Sequence, residues 1–363
     1  MNLRNFILYA ALLATGTPLA AQTTTKLSAT KANDYAVVYS LPLTAIDVTI
    51  VTRKTVETPG EFYQFAKRIL NIDNPISEAA TRYSIDKVIV NTHGEPNADE
   101  RYAVKFSAGS TPYILLSTDN IPLAVNTEET YIPVKIAIPE PERAAPTALE
   151  NPAARQVMTE DMLRSTTTLR RAQAAAEQLY ALRQSRTDLI TGQADQMPPD
   201  GQATQLMLDN INAQEAALIA MFTGTTKEST QVQTFTFVPK ASDNDINGYV
   251  IARLSAVDGL VSADDLTGAP IRLNYKVTQR GEMPKNEKGI ELTFPKGGLA
   301  YCIPGKAQVT VSYEGQPLAQ TTLNMAQAGI VYGIAPNSFT AKKGAAYMIF
   351  DPSTGAAVEI GTK

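Results

Sequence analysis

The chain has 363 residues, a formal net charge of -4, one cysteine, one histidine and no tryptophan. This mildly acidic balance argues against the clustered basic face that nucleic-acid binding requires, so no nucleic-acid partner is expected. A single cysteine excludes an internal disulfide, and a single histidine excludes zinc centres that need two, such as the HExxH type. No Gly-rich phosphate loop is present either, and we expect no cofactor.

The first segment, Met1 to Ala21, has the pattern of an export signal. Arg4 gives a positive start, Phe6 to Ala14 gives an apolar run, and the segment ends on small residues. The run is shorter than the roughly 20 residues that span a bilayer as a helix. We therefore expect an exported protein without a transmembrane segment, in the periplasm or associated with the outer membrane. No cysteine follows the signal, so a lipoprotein anchor is not expected.

Residues 22–140 have the texture of a β-rich N-terminal domain with one helix. Short alternating runs predict strands, among them Ala45 to Val51, Tyr83 to Val90 and Ile132 to Ile138. The segment Thr58 to Glu61 resembles a helix start, with a Thr cap and Pro at the first helical position. An apolar face follows it and predicts a helix over about residues 59–71, on Phe62, Phe65, Ala66, Ile69 and Leu70.

A Pro-rich linker over residues 141–154 separates this region from a helical segment over residues 155–224. Arg155 to Leu189 contains neither proline nor glycine, which predicts a first long helix with its own apolar stripe. The apolar stripe of a second helix runs through Met207, Ile211, Leu218 and Met221. Gly192 and Gly224 are expected to stop the two helices. Neither helix can bury its stripe alone in water, so the pattern predicts a central antiparallel αα-hairpin. Many short strands then predict a β-sandwich-like C-terminal domain over residues 225–363. The expected fold class is α+β, with β-rich regions on both sides of the hairpin.

The residues that could carry chemistry each have a simpler structural interpretation. His93 is expected in a turn at the surface, and no G-x-S-x-G segment frames a serine that it could activate. Cys302 lies in an apolar strand-like run and is expected to be buried and unreactive. The loop Asp243 to Gly248 matches the opening of a calcium loop, but the twelfth position is Leu254 where a Glu is needed, so a hairpin turn competes with that reading.

Two charged sets complete the candidates. Adjacent acids could act together without a histidine, although solvated surface residues are more usual: Glu128 and Glu129, Glu140 and Glu142, Asp264 and Asp265. The arginines of the first long helix could grip an acidic partner or form a solvated face: Arg164, Arg170, Arg171, Arg183 and Arg186. We assign no catalytic, cofactor-binding or metal-binding residue.

Five short segments stand out in chain order: Tyr39 to Pro42, Gln214 to Gly224, Tyr301 to Ala307, Ala326 to Ile330 and Phe350 to Gly355. Together with Thr58 to Phe62 they resemble a family of exported Bacteroidetes proteins described as domain of unknown function 4831. The resemblance covers nearly the whole mature chain. It implies an envelope or secreted protein and brings no activity, cofactor or catalytic residue. Cys302 stands where the resemblance leads us to expect a larger side chain.

The expected function is that of a non-catalytic exported cell-envelope protein, a structural, adaptor or assembly subunit whose partners are other envelope proteins. The alternative is a carbohydrate- or peptide-binding module built on some of the fifteen tyrosines. A hydrolase with two carboxylates is the third hypothesis. An exposed apolar stripe on the helices would favour the adaptor. A groove lined by tyrosines would favour the binding module. Two carboxylates that face each other in a cleft would favour the hydrolase.

Overall fold

The computed structural model describes residues 23–26, 37–105, 113–196, 198–339 and 344–362. The predicted export signal lies outside these residues. The described strands are β1 (Thr23–Lys26), β2 (Val37–Thr58), β3 (Ala80–Lys105), β4 (Ile114–Leu116), β5 (Pro122–Val125), β6 (Thr225–Phe237), β7 (Asp245–Ser255), β8 (Gly259–Val261), β9 (Ala269–Gln279), β10 (Leu299–Tyr313), β11 (Gln316–Ile334), β12 (Ala346–Phe350) and β13 (Ala357–Thr362). The α-helices are α1 (Ala66–Leu70), α2 (Glu160–Arg164), α3 (Thr168–Thr191) and α4 (Gly201–Thr223).

The strands form antiparallel sheets that combine segments far apart in the chain. Sheet 1 has the order β1-β3-β2-β6, sheet 2 the order β11-β10-β9-β7-β8, and sheet 3 the order β13-β12-β5-β4. Strand β6 pairs with β2 from Ile46↔Phe237 to Thr58↔Thr225, and β12 pairs with β5. Strands from residues 22–140 and from residues 225–363 therefore share sheets 1 and 3. The predicted domain division at these residues does not follow the sheets.

Period-2 patterning explains where the largest core lies. Ile46, Val48 and Ile50 alternate along β2 and are fully buried, as expected for one face of a strand. They belong to a cluster that also contains Leu273 of β9 and Val309 of β10. Side chains of sheets 1 and 2 thus share one core. A second core joins sheet 3 to Tyr39, Tyr102 and the start of β10.

The helix predicted over residues 59–71 is shorter than expected. A 3₁₀ turn at Tyr63–Phe65 precedes α1, and neither element has a side-chain cap. Thr58 cannot cap them because it is still paired with Thr225 at the end of β2. The backbone N–H of Phe62 instead donates to the carbonyl of Met221, at 2.7 Å. Packing against α4, rather than local capping, sets the start of this helix.

The predicted continuous helix from Arg155 is broken, and the linker before it is partly ordered. The linker region contains 3₁₀ turns at Ala148–Glu150 and Pro152–Val157. The hydroxyls of Thr159 and Thr167 accept from the backbone N–H groups of Met162 and Arg170, so each threonine starts a new helix. Helix α3 ends at Gly192 and α4 ends at Gly224, as the glycine positions predict. Among the described residues, no helix has the length and hydropathy to cross a membrane.

The strand predicted at Ile132 to Ile138 does not form. Residues 131–142, which we call the strap, have no regular secondary structure. Asn91 of β3 holds the strap through both backbone groups of Ile136, accepting from its N–H at 2.8 Å and donating to its carbonyl at 2.9 Å. The side-chain amide of Asn91 thus makes the two backbone hydrogen bonds that a neighbouring strand would make with Ile136. The apolar side chains of the strap stay exposed, and Val134 is 96% exposed.

Candidate functional site

The two long helices have a buried half and an exposed half. Their proximal half joins a core with α1 and α2 that includes Phe62, Met162, Leu179 and Phe222. Alanines at 172, 175 and 176 give α3 a narrow face there, and all three are buried. Residues 180–214, which we call the distal tip, contain no buried residue in the part of the chain that is described. The helix pair therefore extends away from the core that anchors it.

The distal tip exposes large apolar side chains. Ile190 is 68% exposed, Leu206 is 71% exposed and Met207 is 49% exposed. Tyr180 also faces solvent at the start of the tip. Single exposed apolar residues are ordinary, but several on one projecting element are typical of an interaction surface. Large apolar side chains are thus exposed on both helices at the distal tip.

A groove of about 450 Å³ lies between the two helices at the distal tip. Its apolar wall residues are Leu182 and Leu189 of α3 and Met207 and Ile211 of α4. The loop residues 193–195 close one end of the groove. The lining residues of α3 lie between Leu182 and Leu189, and those of α4 lie between Met207 and Gln214, so both helices contribute to the groove. The groove is the unfilled continuation of the seam between the helices.

Glu215 marks the border between the buried half and the distal tip. Its carboxylate is nearly buried and accepts a hydrogen bond from Arg183 Nε at 2.7 Å. Its second oxygen lies 2.9 Å from Arg186 Nη1 without hydrogen-bond alignment, so this contact is ionic. Both guanidinium groups remain partly exposed and keep part of their hydration. The three charges tie α3 to α4 at the base of the groove.

The arginines of the helical segment are largely engaged within the chain. Besides Arg183 and Arg186, Arg164 pairs with Glu160 and Arg171 pairs with Glu61, both at 2.6 Å. These contacts argue against the sequence-based interpretation that the arginines grip an acidic partner. The neighbouring part of the helices carries negative charge instead. Residues 187–214 include four aspartates and neither lysine nor arginine.

The four aspartates are Asp188, Asp195, Asp200 and Asp209. Asp188 and Asp209 each accept a hydrogen bond from a glutamine one turn earlier in the same helix, at 2.7 Å. Asp200 caps the start of α4 by accepting from Ala203 N–H at 2.7 Å. Within the described ranges none of the four is part of an ion pair. The distal tip therefore combines apolar walls with uncompensated negative charge.

His93 lies on β3 rather than in the predicted turn. Its Nδ1 is 2.6 Å from Asp47 Oδ2, and its Nε2 is 3.6 Å from Glu95 Oε1. Thr236 donates to the other oxygen of Asp47 at 2.8 Å. Among the described contacts of His93, no serine or cysteine stands where a nucleophile would. The arrangement fixes the ring on the surface of sheet 1 without completing a catalytic triad.

Cys302 lies at a junction formed by the segments that carry the family resemblance. Its N–H donates to Gly355 at 2.9 Å, and its thiol is buried beside a cavity of about 170 Å³ that Gln327 also lines. Burial, followed by the charge of Glu100, raises the pKa of Cys302 to about 12. At neutral pH the nucleophilic thiolate is therefore almost absent, and the expectation of an unreactive thiol fits this setting.

Gln327 explains why this junction is closely specified. Its side-chain oxygen accepts from Thr44 N–H at 3.1 Å, and its nitrogen donates to the carbonyls of Thr44 and Pro239 at 3.0 and 3.1 Å. The Thr44 hydroxyl in turn donates to the Ser353 carbonyl at 2.9 Å. Buried polar groups that satisfy one another fix a unique packing. Gln327 and Ser353, which lie in two of the segments that carry the family resemblance, thus hold strands together at this place.

Most of the possible calcium loop is part of a strand, because Asp245 to Gly248 belong to β7 and only Asp243 and Asn244 precede it. Asp243 accepts from Lys240 N–H at 2.8 Å, and Asp245 accepts from the Asn247 amide at 2.8 Å. The Asn244 oxygen accepts from Arg280. Over the described ranges, no three His, Cys, Asp or Glu side chains are grouped so that they could hold a metal ion. The oxygens of the loop are engaged with donors of the chain itself.

The paired acids and the tyrosines give the other two hypotheses little geometric support. Glu128, Glu129, Glu140 and Glu142 are exposed. Hydrogen bonds from Thr267 lower the pKa of Asp265. Thr267 is only two residues away, so Asp265 is engaged in a local turn. Neither of the two cavities described above is lined by a tyrosine or by one of these pairs.

Sequence reasoning found the apolar stripes of the helices but not the groove. Met207 and Ile211 belong to the same stripe as the buried Leu218 and Met221. The apolar stripe has the same spacing along the whole of α4. Its distal half differs from its buried proximal half only because no other described element packs on it. The four aspartates were an available signal, because acids dominate the charge of the distal tip.

Comparison with known proteins identifies the family. The family model described as Domain of unknown function (DUF4831) matches residues 35–358, which is most of the chain. The chain therefore belongs to this family. No curated protein and no solved structure matches it.

Proposed function

We propose that this member of the DUF4831 family is a non-catalytic, exported cell-envelope protein that acts as an adaptor or assembly subunit. In this proposal, sheets 1 and 2 form a sandwich-like scaffold, and α3 and α4 form an antiparallel hairpin that presents the distal tip to another envelope protein. One observation carries the proposal: the helices are anchored in a core at one end and expose Ile190, Leu206 and Met207 at the other. Solvent-exposed apolar residues on a projecting element are favoured where a partner buries them.

Burial of apolar side chains would supply the binding energy of the distal tip. An apolar side chain that moves from water into an interface stabilises the complex by about 25 cal/mol per Å² of buried area. Interfaces concentrate their binding energy in a few such residues. Ile190 and Leu206, both largely exposed, are the strongest candidates for this role. Replacing both by glutamate puts charges where the partner would bury carbon, so a partner that uses the distal tip should be lost.

The test is a comparison of two double variants in affinity purification from native envelope fractions. The test variant carries Ile190→Glu and Leu206→Glu. The matched control carries Val257→Glu and Leu266→Glu, whose side chains are 77% and 80% exposed in loops outside the helices. Both variants change the net charge equally and replace surface residues, so both should melt like the unmodified protein.

The proposal predicts that specific co-purifying proteins are retained by the control and lost by the test variant. Equal recovery with both variants would show that the distal tip contacts no partner. Purified protein should turn over no glycoside, ester or peptide bond. Turnover that one acid-to-amide substitution abolishes would replace the adaptor by the two-carboxylate hydrolase.

A further inference from the structure

The groove at the distal tip is lined by side chains that recur at helical spacings on two helices. Leu182 and Leu189 are spaced by two helical turns on α3, and Met207, Ile211 and Gln214 follow one another by one turn on α4. The α4 stripe continues into Leu218, which is fully buried in the proximal core. The seam is thus filled at one end and open at the other. Apolar walls on two helices match the helix-in-groove mode, in which an amphipathic helix lays its apolar face into a hydrophobic groove.

The negative charge around the groove favours a partner helix whose polar face is basic. Asp188 and Asp195 line it, and Asp200 and Asp209 lie on the same tip. The nearest basic residues, Arg183 and Arg186, are bound to Glu215. A partner with an acidic polar face would meet like charge, whereas lysine or arginine on that face would form ion pairs with these aspartates.

We infer that the groove of the distal tip binds a basic amphipathic helix of the partner protein. The inference rests on the proposed function and specifies its partner: apolar residues of that helix fill the space between Leu182, Leu189, Met207 and Ile211, and its lysines or arginines face the aspartates. A helix with these features from a second copy of the chain, or an acidic helix, is an alternative that the test must separate.

The test uses the full chain and two synthetic peptides of equal length. Both peptides place leucine on one helical face; one carries lysine and the other glutamate on the opposite face. Fluorescence anisotropy of the labelled peptide is measured with the unmodified protein, with Asp188→Asn/Asp195→Asn, and with the control Asp258→Asn/Asp264→Asn. The control removes two exposed aspartates outside the helices, so it changes the net charge by the same amount.

The inference predicts saturable binding of the lysine peptide and much weaker binding of the glutamate peptide. Asp188→Asn/Asp195→Asn should weaken binding by roughly tenfold, as expected for the loss of two exposed ion pairs at the upper end of their usual strength, and the control should not. Amide hydrogen exchange should slow in the distal tip when the lysine peptide is added. Protection elsewhere would contradict the inference.

Equal affinity for the two peptides, or equal weakening by the test and control variants, would overturn the basic-helix assignment. Sedimentation of the protein alone gives a further outcome: self-association abolished by Leu189→Glu/Met207→Glu, two residues that line the groove, would assign the groove to a second copy. Failure of the peptide test with a retained difference in the affinity purification would refute the groove and its basic helix but leave the adaptor function, because Ile190 and Leu206 lie outside the groove lining. Failure of both would refute the adaptor function itself.

Discussion

Truncation of Phe222 is the most informative perturbation of the anchored end of the helices. The ring is fully buried near the end of α4, and its centroid lies 5.3 Å from that of Phe62. Phe222→Ala removes this ring from a core shared by all four helices. Phe-to-Ala substitutions in cores lower the free energy of unfolding by about 3–5 kcal/mol.

The surrounding backbone favours the upper part of that range. The hydrogen bond from Phe62 N–H to the Met221 carbonyl fixes the two segments next to the ring. At Gly60 an added Cβ would lie only 2.4 Å from the same carbonyl, so the backbones already touch. A site that cannot collapse retains a larger cavity, and the cost of truncation rises with the cavity volume.

Urea unfolding followed by far-UV circular dichroism measures the effect, because the chain has no tryptophan for fluorescence. Tyr180→Ala is the control, since Tyr180 is exposed on the same helix pair, and surface changes stay within about 0.5 kcal/mol. A double-mutant cycle with Phe62→Ala should give a coupling energy of about 0.5–1.5 kcal/mol for the ring pair. If Phe222→Ala and Tyr180→Ala unfold at the same urea concentration, the proximal core does not anchor the helices.

Three further predictions concern the scaffold. Asn91→Ala removes both hydrogen bonds to Ile136. The Ile136 amide should therefore exchange faster, and proteases should cut the strap sooner. An unchanged exchange rate would show that another contact holds the strap. Gly94→Ala places a Cβ 2.0 Å from the Pro352 carbonyl oxygen, and the unfolding free energy should fall by about 1–3 kcal/mol or more; an unchanged urea midpoint would refute this close approach. Cys302, with its raised pKa of about 12, should resist iodoacetamide at neutral pH until urea unfolds the chain, and rapid native labelling would contradict its burial.

Local signals in the sequence predicted the local features of the fold. Gly192 ends α3 in a left-handed conformation, with its N–H directed at carbonyls of the last turn, and this is why glycine at that position predicts a stop. The buried alanines of α3 and the buried Leu218 and Met221 of α4 follow the 3.6-residue period. Such features depend on residues within a few positions of one another.

Features that depend on distant pairing were not predictable in the same way. Strand β6 joins β2, and β12 joins β5, across most of the chain, and no local pattern identifies those partners. Ile132 to Ile138 has strong strand composition but lacks a neighbouring strand, so its pattern predicted an element that does not form. The Asp47–His93 contact also spans two strands of one sheet, and neither residue's neighbours in sequence indicate it.

The groove of the candidate site falls between these two cases. Its wall residues were identifiable as an apolar stripe, and its aspartates were visible in the composition of the tip. Which half of the stripe is covered depends on α1, α2 and the 3₁₀ turns that pack on the proximal half. Sequence periodicity gives the direction of a helix face, but the position of neighbouring elements decides whether that face is free.

Site-specific photo-cross-linking in the native envelope tests the adaptor function most directly. A photoreactive residue replaces Leu206 at the distal tip in one strain, and Leu266 in a loop outside the helices in another. The account predicts a discrete cross-linked product from position 206 and none from position 266. Cross-linking that is absent from position 206, or equal at both positions, would contradict the claim that the distal tip is the surface through which this protein acts.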